Sequence, residues 1–301
     1  MFYDLNVPYS AEDPGILNTL EFLAELGYTT VALSQTISGK VPSKLTPPQL
    51  PSNAPKSLTL LTRLTIVLSD PADTPRLANI IPLYSIVAVR PTNEKSLLNA
   101  CTNMECDLIS IDLSVRFPSH FKINTLKSAF DRGVRFEICY SSGITGGGPE
   151  ARRNVIGNAR ALVRATREGR GIIISSEAKR ALAIRAPMDI VNLACLWGFS
   201  QERGKEAICE EVRKVVALSS LKRTSWRGIV DIVDGGQKKN QPRDTPGKQN
   251  EKKDIPIVEK NGESLKRKAS LGSVPENEKP LSKRELKRRA KKARLEANAP
   301  S

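Results

Sequence analysis

Residues 85–104 have the sequence SIVAVRPTNEKSLLNACTNM, which contains one strand-like run followed by one helical pattern. Residues 85–89 are apolar at nearly every position, as is typical of a parallel strand covered on both faces. Residues 94–104 instead place their apolar side chains at helical spacing. This stretch therefore predicts a strand that leads directly into a helix.

The same alternation recurs along the first three quarters of the chain. Predicted strands cover residues 1–7, 28–33, 58–68, 85–89, 107–113, 135–140 and 171–175. Predicted helices cover residues 14–26, 74–81, 94–104, 125–132, 150–167, 187–197 and 201–219. Seven alternations in about 220 residues favour an α/β fold of the TIM-barrel-like (β/α) type over a flavodoxin-like or Rossmann sheet. Residues 35–56 hold five prolines and are predicted to form a long loop.

The positive charge of the chain is concentrated at one end. The 47 Lys and Arg residues exceed the 32 Asp and Glu residues, which gives a net charge of +15. Residues 1–234 contribute 28 basic and 23 acidic residues, whereas residues 235–301 contribute 19 and 9. The second segment has no aromatic residue and few aliphatic ones, too little apolar surface to offset the entropy of ordering. We therefore expect a barrel domain over 1–234 and a disordered, lysine- and arginine-rich tail over 235–301.

The composition also argues against several classes of protein. The longest stretch without a charged residue, residues 26–39, has 14 residues, fewer than the roughly 20 that a spanning helix needs. No membrane partner is expected, and residues 1–7 lack the pattern of a secretory signal. The five cysteines form no C-x-x-C pair, so we expect an intracellular protein without a disulfide framework or structural zinc.

Two clusters of basic residues lie in the tail. Such runs indicate nuclear localisation signals or patches that contact nucleic acid, the alternative being a tail that merely aids solubility. Ser270 follows the first cluster and is a candidate phosphorylation site that would weaken its charge. The clusters comprise Lys266, Arg267, Lys268, Lys287, Arg288, Arg289, Lys291, Lys292 and Arg294.

Acidic residues follow several predicted strands, where the functional groups of a (β/α) barrel are found. They are Asp4, Asp70, Asp112 and Glu177. These carboxylates either converge as oxygen ligands for magnesium or serve as caps and turn formers, and spacing does not separate the two hypotheses. The single histidine, His120, is predicted to be a partly exposed loop residue, with no second histidine to share a metal. We expect no catalytic constellation and no metal bound by the protein.

The predicted helix over residues 150–167 carries a row of arginines. At about 100° per residue, Arg153, Arg160, Arg164 and Arg167 fall within about 60° of one another, and Arg152 lies in the first turn beside free backbone N–H groups. Val155, Ala159, Leu162 and Val163 occupy a different face and are expected to pack on the barrel. Glu150 and Glu168 are the acidic residues that flank the row, so its arginines have few local ion-pair partners. The row therefore indicates contact with RNA phosphate or an acidic partner. A solvated helix face is the alternative. The preceding glycine-rich loop, residues 141–149, lacks the order of a known nucleotide motif.

Short motifs of this chain, in the same order, resemble those of a known family. They are LTRLTI (61–66), SDP (69–71), DRG (131–133), FE (136–137), YS (140–141), IISS (173–176), IRAPMD (184–189) and NL (192–193). Together they are similar to the thirty-kilodalton protein subunit of ribonuclease P and ribonuclease MRP, in its eukaryotic and particularly its fungal forms. The resemblance covers about residues 2–233.

The resemblance implies a TIM-barrel-like subunit of a ribonucleoprotein in the nucleus and nucleolus. The particle removes the 5′ leader of precursor tRNA, its substrate, and a sister particle acts on ribosomal RNA precursors. The implied partners are the catalytic noncoding RNA and the other protein subunits. Catalysis is expected from the RNA with its bound magnesium, so the protein itself needs no cofactor.

The family barrel is also similar to that of the polymerase and histidinol phosphatase superfamily, whose first strand ends in paired histidines. The matching segment here is Asp4-Leu5-Asn6. This departure disfavours the alternative function, a stand-alone metal-dependent phosphoesterase that uses the carboxylates at the barrel mouth. That alternative predicts a magnesium- or manganese-dependent activity that is lost on Asp4→Ala.

Arginines are the candidate contact residues, because a guanidinium binds phosphate or carboxylate through two hydrogen bonds. Arg63 lies inside an apolar strand and is either a further contact or buried against Glu137 or another barrel acid. The predicted RNA- or partner-binding residues are Arg132, Arg152, Arg153, Arg160, Arg164, Arg167 and Arg185.

Overall fold

The seven predicted strands are all present and form one parallel sheet. The fold is given by a computed structural model, which describes residues 1–10, 12–39, 41–42, 45–69, 77–145 and 147–224. Each strand pairs in parallel with the next one along the chain. The strands are β1 (Phe2–Pro8), β2 (Tyr28–Ser38), β3 (Thr59–Leu68), β4 (Ile86–Pro91), β5 (Leu108–Ser110), β6 (Arg135–Cys139) and β7 (Ile172–Ser175). Asp70, Ser270 and the basic clusters of the tail lie outside the described residues, so the division at residue 234 stays a prediction.

Helices connect several of the strands, and further helices follow the last strand. They are α1 (Ile16–Glu25), α2 (Glu94–Thr102), α3 (Ile123–Asp131), α4 (Ser141–Ile144), α5 (Gly148–Ala165), α6 (Pro187–Trp197), α7 (Gln201–Ile208) and α8 (Glu210–Thr224). No helix in the described part of the chain has both the length and the apolar composition needed to cross a membrane.

Two helix predictions are corrected by the structure. The described part of the predicted helix over 74–81 is not α-helical, since Leu77–Asn79 and Ile81–Leu83 are separate 3₁₀ turns. Pro82 has no N–H to donate, which disfavours a continuous helix there. The predicted helix over 201–219 is two helices, α7 and α8, separated at Cys209. The apolar pattern continues across this break because both helices pack against the barrel with the same kind of side chain.

The sheet curves into a nearly closed barrel. Beside β1, the chain that follows β7 supplies the contacts: the Glu177 N–H donates to the Asn6 carbonyl at 2.8 Å, and the Ser176 N–H donates to Asp4 Oδ1 at 3.1 Å. The predicted (β/α) barrel is confirmed, and an open doubly wound sheet is excluded.

The proline-containing segment 35–56 is less of a loop than predicted. Its first four residues continue β2 and pair with β3, from Gln35 opposite Leu64 to Ser38 opposite Val67. Since β3 is ten residues long, extending β2 gives the backbone groups of both strands partners. The prediction was therefore wrong for the start of this segment.

Helix α8 lies across the N-terminal end of the barrel. Its Val212 and Val215 are buried in one apolar cluster with Tyr3, Leu5 and Ile173. Three ion pairs fix the helix at residues that precede or begin strands: Arg135 to Glu211 at 2.9 Å, Lys222 to Asp107 at 3.2 Å, and Arg223 to Asp107 at 2.8 Å. The helix therefore covers one end of the barrel and leaves functional chemistry to the other end and to the outer helices.

Arg223→Ala is expected to lower the free energy of unfolding by about 2 kcal/mol, because a mostly buried guanidinium is removed and several acceptors are left without a donor. Arg223 donates to the carbonyls of Ile81, Tyr84 and Ser219 and to Asp107 Oδ2. Urea denaturation provides the measurement. The control Lys214→Ala removes a half-exposed ion pair with Glu211 and should change stability by less than about 0.5 kcal/mol. Equal losses of stability in the two variants would contradict the assigned role of Arg223.

Candidate nucleic-acid interface

The barrel interior is occupied by a buried ion pair. Arg63 and Glu137 are both fully buried, with Nη1 to Oε1 at 2.5 Å and Nη2 to Oε2 at 2.6 Å. Arg63 also donates from Nε to Thr65 Oγ1 at 3.0 Å and from Nη1 to the Leu5 carbonyl at 2.7 Å. Burial by itself raises the pKa of the Glu137 carboxyl, but the charge and hydrogen bonds of Arg63 outweigh it and lower this pKa to about 2. Of the two roles open for Arg63 from sequence, burial against Glu137 is confirmed.

The acids at the strand ends have separate local partners. Asp4 Oδ1 accepts from the N–H groups of Asn6 and Ser176, both at 3.1 Å, and burial raises the pKa of Asp4. Asp112 Oδ1 accepts from the N–H of Ser114 at 3.0 Å and from its hydroxyl at 2.6 Å. Glu177 pairs with Arg90 at 2.7 Å. These contacts are those of turn formers and ion-pair members.

The metal-site hypothesis for the strand-end acids gains no geometric support. Within the described ranges, no group of three or more His, Cys, Asp or Glu residues is placed to hold a metal ion. Asp70 lies outside these ranges. His120 is exposed in the loop between β5 and α3, as predicted.

Helix α5 presents the predicted arginines to solvent. Arg153, Arg160 and Arg164 are exposed on one face, and we call these three residues the arginine row. The helix has 18 residues and is therefore about 27 Å long at about 1.5 Å per residue. Its other face is buried, as predicted, by Ala151, Val155, Ala159, Leu162 and Val163. The packing fixes the row on a rigid element of the barrel.

Arg167 lies beyond the end of this helix, which is a correction to the predicted boundary. The helix ends at Ala165, and Arg167 and Glu168 have positive φ angles of 53° and 66°. The helix cannot continue because the chain passes close to Phe199 at Gly169. A Cβ on Gly169 would lie 2.1 Å from the Phe199 ring. The chain turns sharply to pass Phe199, so Arg167 is exposed on a loop and is not aligned with the arginine row.

The arginine row is free of ion pairs with other described residues. Arg153 donates from Nε to the Pro149 carbonyl at 3.4 Å, and neighbouring Arg152, also exposed, donates from Nε to the Gly143 carbonyl at 3.2 Å. Between the arginines the exposed face has the small residues Gly157 and Ala161. A polyanion can therefore approach the helix closely and meet three unneutralised guanidinium groups.

Arg132 and Arg185 have intramolecular partners away from α5. Arg132 follows α3 and donates to the carbonyls of Cys101 and Met104 at the end of α2. Arg185 donates from Nη1 to the carbonyls of Leu182 and Ile184 at 2.9 and 3.0 Å. Both are partly buried. Their predicted contacts with RNA or a partner stay predictions, and the structure adds a local structural role for each.

A cleft at the C-terminal end of the barrel contains cations that the sequence patterns did not single out. Its volume is about 1150 Å³, and Arg116, Lys179 and Arg180 line it together with Arg90 at the end of β4. The sequence indicated these residues only by their position, because each of them is at or shortly after the end of a predicted strand, where the functional groups of a (β/α) barrel are found. Arg116, Lys179 and Arg180 were missed because they form no run or helical row.

Gly157→Ala is expected to raise the free energy of unfolding by about 0.5–1 kcal/mol, because glycine loses more backbone entropy in a helix than alanine does. A Cβ at Gly157 would meet no atom within 4 Å. Thermal or urea denaturation tests this. Gly204→Ala in α7 is the matched control, since its Cβ would lie 3.3 Å from Val191 Cγ1 and should give no comparable gain. If Gly157→Ala instead lowers the free energy of unfolding, the exposed face of α5 is already in contact with another part of the free protein.

Comparison with known proteins agrees with the fold and the motifs. Residues 1–224 match the family model described as RNase P subunit p30. The probable ribonuclease P protein subunit 3 of Schizosaccharomyces pombe is 34% identical over 235 residues, which cover 77% of this chain and 99% of that protein. The ribonuclease P/MRP protein subunit RPP1 of Saccharomyces cerevisiae is 30% identical over 256 residues, which cover 78% and 86%.

A solved structure shares the fold. A chain from the cryo-EM structure of archaeal ribonuclease P with mature tRNA aligns with a TM-score of 0.56 and 14% identity, covering 76% of this chain and 97% of that chain. With the family model matched over the whole described barrel and relatives similar along nearly their full length, this chain belongs to the RNase P subunit p30 family.

Proposed function

We propose that this chain is a protein subunit of nuclear ribonuclease P and MRP particles, where it binds the noncoding RNA and neighbouring protein subunits. In this role it supports removal of the 5′ leader from precursor tRNA and processing of ribosomal RNA precursors. Family membership supports the assignment to the particle. The arginine row supports the assignment to RNA.

The arginine row is the observation that carries the RNA contact. Its guanidinium groups are exposed, have no acidic partner among the described residues, and are held by a helix whose opposite face is buried. Each arginine that neutralises a phosphate releases counterions, which makes binding favourable and dependent on salt. A rigid row also binds the RNA without the entropy cost of ordering a loop.

We assign the cleavage chemistry to the RNA and its bound magnesium, with the protein as a noncatalytic subunit. The interior of the barrel is filled by the ion pair of Arg63 and Glu137, and the acids Asp4, Asp112 and Glu177 are engaged in separate contacts. No arrangement of the described side chains favours the second candidate, a stand-alone metal-dependent phosphoesterase.

Recovery of the bound RNA tests the proposed function. We expect that the tagged chain, purified from nuclear extract, brings down structured noncoding RNAs and cleaves precursor tRNA at the 5′ leader. The untagged extract serves as the control for background RNA. If the recovered material contains no structured noncoding RNA able to process precursor tRNA, the assignment is wrong.

The basic tail is expected to direct the chain to the nucleus and nucleolus. Its clusters at residues 266–268 and 287–294 have the composition of nuclear localisation signals. Deleting residues 235–301 should move a fluorescent fusion protein from the nucleus to the cytoplasm, whereas deleting residues 238–262, which lie outside both clusters, should not. If nuclear fluorescence is unchanged after the full deletion, the tail does not direct the chain to the nucleus.

A further inference from the structure

The cleft at the barrel mouth is a second candidate binding site, separate from the arginine row. It opens at the C-terminal ends of four strands: Arg90 is the last residue but one of β4, Asp112 follows β5, Ser141 follows β6 and Glu177 follows β7. Its volume of about 1150 Å³ exceeds that of most small-molecule sites, which range from about 300 to 1,000 Å³. The cleft is therefore large enough for a ligand much bigger than a single ion.

The floor of the cleft is a largely buried guanidinium. The Arg90 side chain is 13% exposed and contacts Glu177 through Nη1 at 2.7 Å and Ser110 Oγ through Nη2 at 3.2 Å. Its Nε is buried and has no acceptor among the described atoms. The acid at the floor is thus neutralised, and Arg90 keeps an unused hydrogen-bond donor.

The rim of the cleft carries uncompensated positive charge. Arg116, Lys179 and Arg180 are exposed, and none of them forms an ion pair with a described residue. Asp112 accepts from the N–H and hydroxyl of Ser114 but keeps its negative charge, so four cations and three acids give the described lining a net charge of +1. Glu150 is the remaining exposed acid in the lining that the structure describes. The balance of charge favours an anionic ligand.

The walls favour a ligand with more than a phosphate group. Hydroxyl groups of Ser142 and Thr145 line the cleft, and so do the apolar side chains of Val115, 64% exposed, and Leu182, 84% exposed. An inorganic anion gains nothing from apolar contacts, but a sugar and base do. Proteins recognise RNA mostly at unpaired positions, where a base can leave the stack and contact side chains.

We propose that the barrel-mouth cleft binds an unpaired nucleotide of RNA, with its phosphate on the rim cations and its sugar and base against the walls. The proposal rests on the proposed function, which makes RNA the polyanion available to the chain. Asn154 of α5 lines the cleft, next in sequence to Arg153 of the arginine row. One RNA strand can therefore follow the arginine row and place a nucleotide in the cleft.

The test is the binding of a fluorescein-labelled five-nucleotide uridine RNA to the full-length chain, measured by anisotropy at several salt concentrations. Lys179→Ala/Arg180→Ala should bind at least fivefold more weakly. The log-log slope of affinity against salt should fall by about 0.7 for each phosphate that the variant no longer neutralises. The matched control, Lys205→Ala/Arg213→Ala, removes one lysine and one arginine from exposed positions on α7 and α8. Equal weakening of binding in the two double variants would overturn the cleft as the site.

A second variant separates a nucleotide site from a simple anion site. Thr145→Trp keeps every charge but fills part of the cleft from an exposed position, and it should weaken binding of the oligomer at least threefold. Competition by inorganic phosphate should be weak and unaffected by this variant. Full competition by phosphate, together with unchanged oligomer binding by Thr145→Trp, would reject the nucleotide. Thermal denaturation verifies that each variant is folded.

The two proposals fail in different experiments. If the tagged chain recovers the processing RNA but the cleft variants bind the oligomer like the control, the nucleotide site is wrong and the proposed function stands. If the cleft variants weaken oligomer binding but no such RNA is recovered from extract, the proposed function is wrong and the cleft remains a nucleotide site.

Discussion

Glu137→Ala is expected to lower the free energy of unfolding by about 3–5 kcal/mol, because it leaves the Arg63 guanidinium charged and unpaired at a fully buried position. A typical domain is stable by about 5–15 kcal/mol, so the variant is expected to be marginally folded at best. Urea denaturation of the soluble fraction gives the value. A decrease below about 1 kcal/mol would mean that water reaches Arg63 inside the barrel.

The double replacement Arg63→Met/Glu137→Leu is the matched control for this prediction. It removes both charges together, and such replacements of buried ion pairs are often neutral or stabilising. We expect the double variant to be more stable than Glu137→Ala, although Thr65 and the Leu5 carbonyl no longer accept hydrogen bonds from Arg63. A double variant that is as unstable as the single one would show that these two missing hydrogen bonds, and not the unpaired charge, dominate.

The same ion pair predicts a dependence of stability on pH. The pKa of Glu137 is lowered from its ordinary value of 4.5 to about 2 in the folded protein. Its contribution to stability is therefore fully present above about pH 4.5 and is lost as the pH falls toward 2. Over this interval, the stability of Glu137→Gln should depend less on pH than that of the wild-type chain. Parallel curves for the two proteins would contradict the lowered pKa.

Reversing the charge of the arginine row should reduce the recovery of RNA from nuclear extract more than tenfold. The triple variant Arg153→Glu/Arg160→Glu/Arg164→Glu replaces three phosphate contacts by three repulsive charges on one rigid face. Because these side chains are exposed, the barrel should remain folded, as circular dichroism and thermal denaturation can verify. The recovered RNA is quantified by sequencing against a spiked standard.

The control for this prediction reverses the same number of charges elsewhere. Lys95, Lys205 and Arg213 are exposed on α2, α7 and α8, and their triple replacement by glutamate should leave most RNA recovery intact. An equal decrease in both triple variants would mean that net charge, and not the position of the row on α5, determines binding. If the variant with the reversed row recovers as much RNA as the wild-type chain, the exposed face of α5 contacts solvent and not RNA.

The sequence determined the number, order and type of the strands. A buried parallel strand must be apolar on both faces, and residues 86–89 and 172–174 show this in a few consecutive letters. Helix α5 was readable up to its last turn, because its buried residues and Arg153, Arg160 and Arg164 repeat at helical spacing, but its end before Arg167 was not. Local patterns of this kind need no knowledge of distant residues, so the barrel and the arginine row were both predictable.

Tertiary structure decided which distant side chains meet. Arg63 and Glu137 are 74 positions apart, and sequence offered this pairing as one of two roles for Arg63, because burial depends on how far the sheet curves. Arg90 in β4 and the residues Lys179 and Arg180 after β7 are brought to one cleft by the barrel. The break between α7 and α8 was hidden because both helices bury the same kind of apolar side chain. Periodicity is a property of neighbouring residues, so the sequence by itself determined the barrel and its arginine row. The convergence of distant side chains is a property of the closed barrel, so the tertiary structure alone assembled the cleft.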